Sequence, residues 1–424
     1  MSKRDFLLEI GVEELPARFI PDAIEQLREK LAEWFQKERI SYDNVSTFAT
    51  PRRLAVLVEG VAEKQEDIRE EARGPAKKIA IDDEGNWTKA ALGFARGQGV
   101  DVNDLYVKEV KGVDYVFANK FIAGKASAER LRDIKEVIAN LQFPQTMRWG
   151  SYSFRFARPI RWLVALYGDE VIPFSINDVE TGAKTYGHRF LGKEVTLKKP
   201  TDYLETLKRE YVIADYDERK ALIRQQIETL AKENGWVVPI DEALLDEVTN
   251  LVEYPTALYG TFDASFLTLP KEVLITSMRE HQRYFPVEDK EKKLLPYFIT
   301  VRNGNRDHLD RVAKGNEKVL RARLADAAFF YEEDQKLSID AALKQLEQIV
   351  YHEQLGSVGD KVRRIVAIVT KLSDTIAIAE ETKAIAIRAA EICKFDLVTQ
   401  MVNEFTELQG YMGEVYAKLA GEKA

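Results

Sequence analysis

The sequence predicts an α+β protein, with mixed sheets and helices at the front and helices alone at the end. Three observations carry this. Strand-like apolar runs alternate with helical periodicity through roughly the first 300 residues, and from Leu309 onward the pattern is nearly all helical. The third is length: 424 residues exceed one core, and at about 150 residues per domain they suggest roughly three. The expected division is 1–65 as an α+β domain, 66–330 as a mixed α+β region and 331–424 as a helical domain.

Residues 6–12 (FLLEIGV) read as a strand leading into a helix. That helix has Pro21 near its first turn and Ile20, Ile24, Leu27, Leu31 and Trp34 at helical spacing. Residues 47–61 supply further strand around Thr50-Pro51-Arg52-Arg53-Leu54. A short helix is predicted over 87–96, a hairpin over 105–122 turning at Lys111-Gly112, and a helix over 128–140. Strands follow at 161–167 and 171–176, and helices from 201 to about 250. Residues 271–283 predict a helix, and 284–301 a hairpin across Glu288-Asp289-Lys290. Ser338 is placed to cap a helix carrying Ile339, Leu343, Leu346 and Ile349 on one face. Residues 365–372 and 376–392 are apolar enough to be expected as buried helices.

Composition sets limits. Hydrophobic residues at 45% and charged ones at 31% are globular values. The apolar runs are too short to span a bilayer, and the opening Met1-Ser2-Lys3-Arg4-Asp5 has no signal-peptide core. The single cysteine, Cys393, rules out a disulfide framework, and its apolar helical setting suggests simple packing. A cytoplasmic protein without membrane attachment is expected. The net charge of -8 argues against a surface coated in positive charge for nucleic acid but leaves room for local basic faces; DNA is not expected as a partner.

Three stretches bear on chemistry. Gly187-His188-Arg189-Phe190-Leu191-Gly192-Lys193-Glu194 has phosphate-loop spacing, but Glu194 stands where Ser or Thr would hold magnesium. The following Val195-Thr196-Leu197 is strand-like, so no helix N-terminus faces a phosphate and the match is coincidental. Residues 143–168 hold no Asp or Glu, four arginines (Arg148, Arg155, Arg158, Arg161) and seven aromatics. Two readings fit them: guanidiniums on phosphates with rings on bases, or an interior strand pair whose arginines cover its rings. The third stretch is 277–331. It groups Arg279, His281 and Arg283 at a helix end and Arg302 at a strand end. Lys314, Lys318 and Arg321 then share one helix face. These residues suit a phosphate-tracking surface, and a solvated helix flank is the alternative.

Several strings resemble one family. They are Leu8-Glu9-Ile10-Gly11-Val12-Glu13-Glu14-Leu15-Pro16, Thr50-Pro51-Arg52-Arg53-Leu54, Phe143-Pro144-Gln145-Thr146-Met147-Arg148-Trp149-Gly150 and Gly187-His188-Arg189-Phe190. The runs over 277–285, 314–327 and 389–417 belong with them. Together they resemble the β subunit of the bacterial heterotetrameric (α2β2) glycyl-tRNA synthetase. The resemblance implies N-terminal α+β domains, part of them similar to the editing-type domain of the phenylalanyl-tRNA synthetase β chain, and then an HD-like helical domain. It also implies an N-terminal fragment lacking the family's C-terminal anticodon-binding domain. The implied function is tRNA recognition and assembly in glycine–tRNA ligase, with tRNA(Gly) and the α subunit as partners. Catalysis, and the ATP and magnesium it uses, would belong to the α subunit, leaving this chain without catalytic residue, metal or cofactor.

The alternative is a hydrolase, either an HD-type phosphohydrolase or an editing deacylase of mischarged tRNA. In an HD site Asp396 would be the last carboxylate. None of the four histidines (His188, His281, His308, His352) is followed by Asp, and only His352 falls in the helical domain. Three converging ligands are the minimum for a catalytic metal, so Asp396 is expected to cap or bridge helices instead.

Overall fold

The computed structural model describes residues 2–376 and 378–423. The chain forms two compact units, Met1–Tyr216 and Asp217–Ala424, with α and β elements in both.

The first unit begins with β1 (Lys3–Val12), α1 (Ile20–Glu38), β2 (Asn44–Thr50) and β3 (Arg53–Ala62). A small subdomain follows: β4 (Ile68–Ala76), α2 (Lys77–Ala80), α3 (Lys89–Gln98), β5 (Tyr106–Val110) and β6 (Val113–Ile122). Next come α4 (Ser127–Arg130) and α5 (Lys135–Ala139), joined by a 3₁₀ turn. The strands β7 (Ile160–Tyr167), β8 (Glu170–Val171), β9 (Ser175–Ile176), β10 (Val179–Gly182), β11 (Lys184–Tyr186) and β12 (Glu194–Thr196) lead to α6 (Tyr203–Arg209).

The main sheet has the order β2-β3-β1-β7-β10-β9, with β8 on β7. Only the β10–β7 pairing in it is parallel. Because successive side chains alternate across a strand, β1 feeds two cores. Phe6, Leu8 and Ile10 meet Leu27, Leu31 and Phe35 of α1 on one face. Leu7 joins Val164, Leu166, Tyr203 and Leu207 on the other. Glu9, on that second face, is wholly buried beside the equally buried Arg53, Nη1 to Oε1 3.3 Å. The same carboxylate oxygen accepts from Trp162 Nε1 and Thr185 Oγ1, both at 3.0 Å.

The second unit runs α7 (Tyr216–Asn234), α8 (Glu242–Thr249), β13 (Pro255–Thr261), α9 (Lys271–Gln282), β14 (Phe285–Glu288), β15 (Leu294–Asn303) and α10 (Leu309–Asp334). It continues with α11 (Ile339–Gln345), β16 (Val350–His352), β17 (Gly356–Ser357), α12 (Val358–Thr375), α13 (Glu380–Ile392), α14 (Gln400–Glu404) and α15 (Tyr411–Leu419). A three-stranded antiparallel sheet, β13-β15-β14, lies at its centre. Phe285, Val287 and Ile299 pack on α7 and α8. Phe298 faces a separate core of Val273, Leu274 and Met278 from α9, Leu320 and Leu324 from α10, and Met401, Phe405 and Met412. Residue 330 lies inside α10.

Most predicted elements stand where the residues put them. The 105–122 hairpin turns at Lys111 and Gly112, both at positive φ, which matches the twist of the flanking strands. Ser338 caps α11 by accepting the Ala341 amide. Six strands were not foreseen: β4, β10, β11, β13 and, within the stretch expected to be helical, β16 and β17. β4 (IREEARGPA) is charged and has no buried residue because it is a sheet edge, where charge deters further pairing. β13 opens on Pro255 and contains Gly260, and is likewise an edge strand.

The expectation of buried helices over 365–372 and 376–392 is corrected. α12 is amphipathic and leaves Ile368 65% exposed, with Leu372 and Ile376 also exposed, and Ile385 of α13 faces outward. Apolar content did not decide burial there: Val358, Val362 and, in part, Val366 of α12 reach a core, while Ile368 and Leu372 face outward. Residue 377 lies outside the described residues. Cys393 is exposed rather than packed.

Candidate nucleic-acid interface

In the first unit, rings and guanidiniums of 143–168 do different jobs. Phe143 and Phe156 meet edge-on at 4.8 Å, Phe154 stacks on Phe156 at 6.1 Å, and Trp149 is edge-on to Phe154 at 5.8 Å. All four pack with the main core, from a segment between α5 and β7 that is not the strand pair expected. Arg155 donates from Nε to Thr146 Oγ1 (2.9 Å) and from Nη2 to Thr146 O (3.2 Å). Arg158 Nη1 donates to Ala157 O at 2.9 Å. Arg148 is exposed. Arg161, outward-facing on β7, pairs with Glu13 at 3.3 Å.

In the second unit, the end of α9 is tied to α8. Arg279 reaches Asp241 at 3.2 Å and Glu280 at 2.8 Å. Arg283 ends the helix in the left-handed region, φ 59°, and its Nε meets Glu247 at 2.7 Å. His281 sits edge-on to Phe405 at 5.2 Å, and its Nε2 is buried with no hydrogen-bond partner among the described residues. Tyr284 stacks on Phe298 at 4.5 Å and donates to Asn316 Oδ1 of α10 at 2.9 Å. Burial pushes its phenol up to about 12. Arg302 closes the turn after β15 by donating to Asn305 O at 3.0 Å and to Asp307 O.

α10 is different. Leu320, Leu324 and Ala327 fix one face in the core, and Glu317 accepts the Thr261 amide of β13 at 2.9 Å. Lys314, Lys318 and Arg321, at helical spacing, are thereby turned outward and are exposed. The helix has 26 residues, about 39 Å at 1.5 Å per residue, so this cationic row rides on a long rigid support. The structure thus brings Lys314, Lys318 and Arg321 onto one open face. It uses Arg155, Arg279, Arg283 and Arg302 to hold loops and helix ends.

Asp396 serves the backbone. Its Oδ2 accepts the amides of Gly410 (2.5 Å) and Gly413 (3.1 Å) at the start of α15. The buried Asp334 does the same for α14, accepting from Gln400 (2.7 Å) and Met401 (2.9 Å), and from the Tyr416 hydroxyl at 2.9 Å. Burial, then the Asp334 charge, raises the Tyr416 phenol and keeps it a donor. His352 is exposed on β16. Among the described residues no three His, Cys, Asp or Glu side chains are grouped to hold a metal ion. Nothing in this geometry favours a hydrolase.

The residues missed from sequence are Arg52, Arg189 and Phe190. Arg52 and Arg189 join Arg161 around one cleft, and Phe190 is 85% exposed on the β11–β12 loop. The available signal was their place in the Thr-Pro-Arg-Arg and Gly-His-Arg-Phe strings.

The fold is that of an α+β protein of mixed sheets, with a cationic face on α10. The family model described as glycyl-tRNA synthetase beta subunit matches residues 6–424. The chain belongs to the glycyl-tRNA synthetase beta subunit family. It is 63% identical over 422 residues to the glycine–tRNA ligase beta subunit of Halalkalibacterium halodurans, covering 100% of this chain and 61% of that protein. The Bacillus subtilis beta subunit is 59% identical over 422 residues, covering 100% and 62%. The Listeria welshimeri one is 52% identical over 423 residues, covering 100% and 61%. The chain therefore spans about 61% of the length of the curated relatives it matches.

Proposed function

We propose that this chain supplies tRNA recognition and subunit assembly to glycine–tRNA ligase. In this reading tRNA(Gly) and a separate α subunit are its partners, and glycine activation with ATP and magnesium takes place on that α subunit, in the cytoplasm. Membership of the beta subunit family supports this. The observation that carries the RNA part is the exposed row Lys314, Lys318, Arg321 on α10, whose other face is fixed in the core. Such a row neutralises successive phosphates and releases counterions, giving register without base specificity. Among the described residues no helix is long and apolar enough to cross a membrane.

Within this reading, 331–424 is an HD-like helical domain with a degenerate metal site, and part of 66–330 is related to editing-type domains. Asp396 supports the first point, because its Oδ2 is taken by two backbone amides and, among the described residues, no further ligand set gathers there. The HD-like part then lies near the tRNA acceptor end.

The test mixes this chain with the catalytic α subunit of a relative and measures co-migration, tRNA(Gly) binding and aminoacylation. Co-migration with salt-sensitive tRNA binding is expected, and no ATP–pyrophosphate exchange by this chain alone. Exchange by the chain alone, or no tRNA binding at low salt, overturns the reading.

A further inference from the structure

A cleft of about 370 Å³ opens in the first unit beside the ends of β1 and β7, lined by Val12, Glu13, Arg52, Arg161, Trp162, Tyr186 and Arg189. Three guanidiniums converge on it against one lining carboxylate. Glu13 is shared, 3.3 Å from Arg161 Nε and 2.8 Å from Arg189 Nη2. Arg52 is held from beneath: its Nη1 donates to Gly187 O at 3.2 Å, and its guanidinium lies 5.5 Å from the Trp162 ring centre.

The floor is built rigidly. A Cβ on Gly11 would fall 1.9 Å from the Trp162 ring, so the indole lies across β1 only because residue 11 is glycine. Trp162 is fixed by its hydrogen bond to the buried Glu9 and by the Tyr186 ring at 5.0 Å.

The rim is equally constrained. Gly187 and Gly192 pack so tightly on the backbone of Glu210 that a Cβ at either would lie under 3 Å from its carbonyl oxygen. His188 is buried, and its Nδ1 faces the amides of Phe190 and Leu191, 3.3 Å each. The loop with phosphate-loop spacing is thus a rigid mount. It carries Arg189 into the cleft and leaves Phe190, with no core to join, in solvent.

We propose that this cleft binds one phosphorylated nucleotide of a single-stranded RNA segment, the phosphate on Arg52, Arg161 and Arg189 and the base on Phe190. Guanidiniums match phosphate with paired hydrogen bonds, and an exposed ring, met by the His188 imidazole at 6.3 Å between ring centres, suits an unstacked base, which duplex RNA does not offer. Glu13 holds the arginines in place until the phosphate displaces it. The proposal rests on the RNA-binding reading above and adds a second, separate contact site.

The test titrates the chain with a fluorescein-labelled single-stranded hexaribonucleotide at low salt, followed by anisotropy, with AMP and inorganic phosphate as competitors. Phe190→Ala and the double variant Arg161→Ala/Arg189→Ala change exposed side chains, so the fold survives, as circular dichroism will check. Each should weaken hexanucleotide binding by about tenfold or more, and the double variant should also lower the salt slope by about 1 to 2. AMP competing as well as the oligonucleotide keeps the phosphate-plus-base chemistry and assigns it to a free nucleotide. Unchanged affinity in both variants overturns the proposal, and so does inorganic phosphate competing as well as AMP. If tRNA still binds with a steep salt slope in that case, the tRNA-recognition reading stands without this cleft.

Discussion

Gly413 donates its amide to the carboxylate of Asp396 at 3.1 Å, and a Cβ on Gly413 would itself lie 3.1 Å from that carboxyl carbon. The contact gives residue 413 its reason to be glycine inside a helix. Alanine there would ordinarily gain about 1 kcal/mol of helix propensity. It would also push back a carboxylate whose charged hydrogen bonds contribute about 1.5–3 kcal/mol each. Gly413→Ala should therefore lower stability by roughly 1 kcal/mol, and Asp396→Ala, which leaves two amides unpaired, by about 3 kcal/mol. Urea unfolding decides, and a Gly413→Ala chain more stable than the parent would refute this account.

The Glu9–Arg53 pair is 3.3 Å apart with both side chains fully buried. Removing one partner strands the other charge in the core, a loss of about 3–5 kcal/mol. Glu9→Leu and Arg53→Met should each show it. The double variant should lose clearly less than the two single losses together, because neither charge is then left alone. Strict additivity in urea midpoints would mean the pair is not coupled.

Asp360 closes the N-terminus of α12 in a capping box with Ser357. The Ser357 amide, then the Arg363 guanidinium, hold its carboxyl down from the ordinary 3.8 to about 2. A carboxyl depressed in the folded state stabilises above its ordinary value, and that contribution is lost as pH falls toward the folded value. Hydrogen exchange in the first turn of α12 should be faster in Asp360→Asn than in the parent at about pH 6, with the gap closing between about pH 4 and pH 2. A gap independent of pH would assign the effect to shape rather than charge.

Lys314, Lys318 and Arg321 should act on tRNA affinity through salt. Replacing all three by Ala should flatten the slope of log K against log salt by about 2 to 3 and weaken binding to different tRNAs alike. Anisotropy with labelled tRNA(Gly) and an unrelated tRNA tests both points. An unchanged slope would remove this face from the interface.

Much of the fold was legible, because helical and strand periodicities report on which face is buried. Phe6–Val12 and the Ile20-to-Trp34 spacing identified β1 and α1 without ambiguity. β4 and β13 were not legible, since edge strands carry charge, proline and glycine that read as loop. Ile368 and Leu372 misled in the other direction, because apolar content signals a face without naming what covers it. The α10 row was readable because helical spacing places its residues together. The arginine cleft was not, because Glu13, Arg52, Arg161 and Arg189 meet only through the pairing of β1, β3 and β7 and the β11–β12 loop. Local pattern carries no trace of such a meeting.

The burial of β1 on both faces has a further meaning. A strand that is apolar on each side can slide by one residue and still bury a full set of hydrophobic groups, so greasiness alone does not choose its alignment. Glu9 removes that ambiguity. In the observed register it faces Arg53, Trp162 and Thr185, whereas a one-residue slip would drive its charge in among Leu27, Leu31 and Phe35. One carboxylate thus works as an index mark for the whole sheet, telling seven strands where zero is.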